Sequence, residues 1–128
     1  MIYLDSSVAL SEILQEKRRP DPDFWQRRLF ASRLLEFEVS NRLHAYGAGQ
    51  FSHTRAHDIL DSLILLDMSR DVLARALSPF PIPVRTLDGL HLAAAHRIRE
   101  QGIPVELASY DARLLAAAEA MGIPAAVF

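Results

Sequence analysis

The chain has 128 residues, half of them hydrophobic, with no cysteine and a formal net charge of −2. That length fits one domain spanning residues 1–128, and the lack of cysteine excludes disulfides and thiolate metal sites. A pI near 6.2 lends no support to a nucleic-acid partner, while no apolar run approaches the roughly 18 residues of a membrane span.

The first residues, MIYLDSSVAL, carry no basic leader and read as a strand, Ile2-Tyr3-Leu4, running into Asp5. Together with the missing cysteines, this suits a reducing compartment and predicts a cytoplasmic protein. A helix over residues 6–16 follows, capped by Ser6 or Ser7. Arg18-Arg19-Pro20-Asp21-Pro22 breaks it, and Asp23-Phe24-Trp25-Gln26 begins a short second helix. Phe24 and Trp25 are either core or part of a partner groove, with Val8 and Ile13 as further groove residues.

Leu29–Ser32 is the second strand, and Leu34–Tyr46 is a helix that Gly47 stops. Ser52 caps the next helix, Ile64-Leu65-Leu66 forms a third strand, and Asp71–Leu77 is a short helix. Pro79, Pro81 and Pro83 force an extended link. Thr86 caps a helix that runs to Gly102. Val105–Ala108 is the fourth strand, and Asp111 opens a last helix that ends near Gly122. Residues 125–128 form a closing strand. Strands alternating with helices predict an α/β fold: a three-layer α/β/α sandwich around a mostly parallel sheet.

Four acids stand where a strand ends or a helix starts: Asp5, Glu38, Asp88 and Asp111. Each has an ordinary explanation alone. Asp5 and Asp111 suit helix N-caps, Asp88 suits the positive end of a helix dipole, and Glu38 can pair with Arg42 one turn on. Glu36 rivals Glu38. Jointly they say more, because the C-terminal ends of parallel strands share one edge. Two carboxylates about 5 Å apart repel by about 3 kcal/mol at an effective dielectric of about 20. A cluster of them calls for a cation, and an all-oxygen donor set suits Mg²⁺.

Lys17 is the only lysine beside thirteen arginines. Arginine forks match phosphate oxygens, although a GC-rich genome produces the same excess. Arg33, Arg42, Arg85 and Arg113 flank the acidic segments as candidates for phosphate contact. His53 and His57 lie four apart but lack the glutamate of a zinc helix motif. His91 stands one turn from Asp88.

The segments MIYLDSSVAL, LLEFEVSNRL, RTLDGLHLAAA and SYDARLLAAA resemble, in order, spacing and flanking residues, the motifs of PIN-domain ribonucleases. Within these they most resemble the VapC-type toxins of type II toxin–antitoxin pairs. The resemblance covers essentially the whole chain. It implies that Asp5, Glu38, Asp88 and Asp111 bind Mg²⁺ or Mn²⁺, with Ser6, Ser109 and Arg42 in support. It implies an RNA substrate, a cognate antitoxin encoded nearby and a homodimer. Two other acidic-pocket families fit poorly. A receiver domain needs a late lysine, and an aspartyl phosphatase needs an acid where Ser7 stands. A catalytically weak PIN-like module that acts only through its protein partner is the alternative.

Overall fold

In the computed structural model, which describes residues 1–128, four short strands form one sheet: β1 (Ile2–Leu4), β2 (Leu29–Ser32), β3 (Ile64–Leu66) and β4 (Glu106–Ala108). Every pairing is parallel and the order is β3-β2-β1-β4. Six helices connect them: α1 (Ser6–Ile13), α2 (Leu34–Ala45), α3 (Gln50–Ser62), α4 (Arg70–Leu77), α5 (Thr86–Glu100) and α6 (Ala112–Ala120). None is long and apolar enough to cross a membrane.

Side chains alternate faces along a strand, and that alternation divides the core in two. Ile2, Leu4, Leu29, Ala31 and Ala108 face a cluster with Val8, Ile13, Leu35, Val39 and Leu43 from α1 and α2. Tyr3, Phe30 and Leu107 face the opposite cluster, with Leu92 and Ala95 of α5 and Leu114 and Ala118 of α6. The expected three-layer sandwich is present.

Several local details differ from the sequence expectations. The helix expected over residues 6–16 ends at Ile13, and Gln15 turns left-handed at φ 54°. Residues Pro22–Gln26 form a 3-10 turn, since Pro22 starts the turn but no long apolar face follows to extend it. Val8, Ile13 and Phe24 are buried, so they are core and not a groove; Trp25 packs partly buried against the same cluster. Gly49 rather than Ser52 caps α3, and Arg85 rather than Thr86 precedes α5.

The predicted closing strand is reduced to one parallel bridge, Leu107 to Ala125. After Ala126 donates to the Leu107 carbonyl at 2.8 Å, Phe128 packs against Phe24 and Tyr110, with ring centroids at 4.8 and 5.6 Å. That aromatic packing draws the chain off the ladder.

Leu35 is fully buried on the helix that carries Glu38. Leu35→Ala is expected to cost about 2–5 kcal/mol, the usual range for deleting a buried leucine side chain. Urea unfolding of both proteins measures it.

Candidate active site

The site is built on the C-terminal edge of the sheet. Asp5 follows β1 immediately and caps α1. It is only 6% exposed, and a buried carboxylate needs donors. Oδ2 accepts from Ser7 Oγ at 2.6 Å, Ser109 Oγ at 2.8 Å and, more weakly, Ser7 N at 3.4 Å. Oδ1 receives no hydrogen bond from the chain.

Ser109 follows β4 and joins two acids: its hydroxyl donates to Asp5 and accepts from the Asp111 amide at 2.9 Å. Asp111 then caps α6, with Oδ1 accepting from Arg113 N at 2.9 Å and Leu114 N at 3.4 Å. The helix-cap explanation is therefore right for Asp5 and Asp111, yet each spends one oxygen on local structure and keeps the other free.

Glu38 and Glu36 are separated by about 200° around α2, and their partners differ accordingly. Glu36 pairs with Arg33 at 3.2 Å on an open surface. Glu38, with a side chain 19% exposed, turns inward. Its Oε2 accepts from Ser6 Oγ at 3.2 Å, and its Oε1 meets His91 Nε2. Arg42 lies away from Glu38, against Tyr46. The alternative Glu38–Arg42 pair does not form, although the two lie one turn apart, because Ser6 and His91 take the Glu38 carboxylate and the Arg42 guanidinium reaches toward Tyr46.

Asp88 stands in the first turn of α5 and makes no hydrogen bond or ion pair through its side chain. Partial burial raises its carboxyl pKa, and the Asp111 and Asp5 carboxylates push it further in the same direction; His91 and Arg85 oppose them. This coupling places Asp88 in the field of the other two aspartates. Beside it, Arg85 and Arg113 line a cleft of about 250 Å³ together with Asp88, Val84 and Leu114.

The four predicted acids therefore share one edge, joined through Ser6, Ser109 and His91 or by charge. No three His, Asp or Glu side chains close into a cage that would hold an ion. Mg²⁺ uses only one or two carboxylates and keeps several waters, and Asp5, Asp88 and Asp111 each keep an oxygen that accepts no hydrogen bond. His53 and His57 take no part: His57 pairs with Asp61 at 3.1 Å and His53 lies against His44.

Sequence reasoning missed Ser7, which holds Asp5 and accepts from Tyr110 N at 3.0 Å. It also missed Tyr3, buried under His91. The signal for Tyr3 was available. Alternation buries it, and a buried phenol needs a polar partner from the facing helix.

The raised Asp88 pKa has a definite sign. The folded state holds that proton more tightly than the unfolded chain. Its contribution to metal-free stability is therefore full below the ordinary carboxylate pKa of about 3.9 and is lost as pH rises through the folded value. At neutral pH the ionised group is a net cost, so Asp88→Asn is expected to raise the melting temperature in EDTA. Divalent metal should stabilise the parent more than the variant. Thermal melts with EDTA and with Mn²⁺ across pH 4–8 read both effects; a lower neutral melting point for Asp88→Asn would contradict the coupling.

No protein-family model matches the chain. Among curated proteins it is similar to ribonuclease VapC46 of Mycobacterium tuberculosis, with 33% identity across 95% of this chain and 93% of the relative. It is also similar to ribonuclease VapC47 of the same species, with 29% identity and the same coverages. Among solved structures it is similar to a toxin–antitoxin complex from Klebsiella pneumoniae, with a TM-score of 0.65 and 15% identity over 91% of both chains. A protein of Pyrobaculum aerophilum gives a TM-score of 0.55 and 18% identity over 91% of this chain and 78% of the other. Those structural likenesses establish the fold, and near-complete alignment to a relative one-third identical establishes the lineage: the chain belongs to the VapC family of PIN-domain ribonucleases.

Proposed function

We propose that the chain is a metal-dependent endoribonuclease and the toxin of a toxin–antitoxin pair. One observation carries the chemistry: the Asp88 carboxylate, which accepts no hydrogen bond and feels Asp5 and Asp111, lines a cleft with two unpaired guanidiniums, Arg85 and Arg113. Anionic donors gather cations there, and the arginines supply forks for phosphate oxygens.

In this reading Asp5, Asp88 and Asp111 hold Mg²⁺ or Mn²⁺ through their free oxygens. Glu38 completes the set through the lone pairs that Ser6 and His91 leave unused. The ion, when bound, lowers the pKa of a water and withdraws charge from the phosphodiester. The chain's own residues do the remainder. Ser7 and Ser109 keep Asp5 from rotating, Arg85 and Arg113 fix the phosphate for in-line attack, and no basic side chain is needed to take the first proton. The antitoxin partner is supported by the ribonuclease VapC relatives and by the fold shared with a toxin–antitoxin complex.

Asp5→Asn, Glu38→Gln, Asp88→Asn and Asp111→Asn are each expected to lower RNA cleavage about 100-fold or more, as for loss of one electrostatic stabiliser. Glu36→Gln should keep parental activity, because its carboxylate serves Arg33. Full activity of the parent in EDTA would remove the metal from the mechanism. No metal-stimulated cleavage by the parent at all would favour a binding module.

Arg85→Ala and Arg113→Ala should each raise KM about tenfold, the worth of one charged hydrogen bond. The increase should be similar across RNA sequences, with a shallower salt dependence. Initial rates at several salt concentrations on two unrelated RNAs measure it. An effect confined to one RNA would instead assign these arginines to base recognition.

A further inference from the structure

Beneath Glu38 runs a buried polar chain. The Ser32 amide donates to the Tyr3 phenol oxygen at 3.2 Å. Tyr3 Oη lies 2.7 Å from His91 Nδ1, and His91 Nε2 meets Glu38 Oε1. Tyr3 is fully buried and His91 is 2% exposed. Their rings meet edge to face at 5.8 Å.

The direction of each hydrogen bond follows from its partners. The Glu38 carboxylate can only accept, so His91 Nε2 donates to it; a neutral imidazole then leaves Nδ1 to accept the Tyr3 proton, while the Tyr3 oxygen accepts from the Ser32 amide. With Nδ1 accepting, the imidazole proton sits on Nε2 and points at the Glu38 carboxylate. A partner on one ring nitrogen sets the tautomer at the other in this way generally.

The chain also joins the right elements. Ser32 ends β2, just before the helix of Glu38. Tyr3 stands two residues before Asp5 on β1, and His91 lies one turn after Asp88 on α5. A buried apolar trio would fill the same space without the cost of desolvating polar groups.

We propose that Tyr3 and His91 are positioning residues for Glu38, holding its carboxylate in one orientation at the sheet edge while Ser6 fixes the other oxygen. The proposal rests on the reading of Glu38 as one of the working acids.

Imidazole ¹H–¹⁵N correlation spectra of the metal-free full chain should show His91 as the Nε2–H tautomer. His91→Leu should lower kcat about 10–100-fold, the usual cost of losing a group that orients a metal ligand. Its KM for RNA should stay within about twofold, since Glu38 positioning, not phosphate contact, is lost. Mn²⁺ affinity by calorimetry should weaken about tenfold. His91→Gln, which retains an N–H for Glu38, should recover most of both. Tyr3→Phe should disturb the tautomer signature and lower kcat with little change in KM.

An Nδ1–H tautomer in the parent would overturn the proposal. So would a folded His91→Leu protein with parental kcat and Mn²⁺ affinity. Should His91→Leu fail to fold, Tyr3→Phe and His91→Gln decide: parental kcat in Tyr3→Phe despite a changed tautomer overturns the relay. Parental cleavage by Glu38→Gln would instead defeat the reading of Glu38 on which the relay rests, and would leave the tautomer result standing.

Discussion

All four strands run in the same direction, and each crossover therefore returns the chain to the start of the next strand. Every strand C-terminus then falls on one edge. The order β3-β2-β1-β4 adds a second constraint. The chain moves outward from β1 through β2 to β3, then crosses back to the far side of β1 for β4. Connections leaving β1 and β4 diverge to opposite faces and leave a crevice between them, the place where open α/β sheets bind ligands. Asp5 leaves β1 at that crevice, and Ser109 and Asp111 leave β4 there. Residues 104 positions apart in sequence thus come to share a hydrogen bond of 2.8 Å.

Gathering carboxylates in one place is costly, and the chain limits that cost by giving each acid a different environment. Asp5 is buried but receives serine hydroxyls. Asp111 is exposed and uses one oxygen to start α6. Glu38 is held between Ser6 and the His91 chain. Asp88 alone has no hydrogen-bonding partner, and partial burial with the nearby Asp111 and Asp5 carboxylates pushes its pKa up. The acid left least satisfied by the protein is the one best placed to gain from an external cation.

The arginine-rich composition is also settled locally rather than globally. Arg33 is tied to Asp67 at 2.7 Å and to Glu36, so it serves to join β3 to the start of α2. Arg42 lies on Tyr46. Arg85, just before α5, and Arg113, in the first turn of α6, are left unpaired beside Asp88. A net charge of −2 therefore says little about an anionic substrate, because two unpaired guanidiniums at the cleft matter more there than the total.

Strand–helix alternation, the three-layer class and the helix-capping places of Asp5 and Asp111 were legible in the sequence, because they depend on local signals: short apolar runs, helix starts and their flanking residues. The choice between Glu36 and Glu38 was not, since both lie in one amphipathic helix and only Arg33 on one side and Ser6 and His91 on the other separate them. The closing strand failed for a similar reason. Residues 125–128 have strand character, but Phe128 finds Phe24 and Tyr110, which are distant in sequence. The role of Ser7 and the pairing of Tyr3 with His91 in particular likewise required tertiary structure. Periodicity shows which face of an element is buried; which polar atom waits on the other side of that face depends on how strands far apart in sequence are ordered in the sheet.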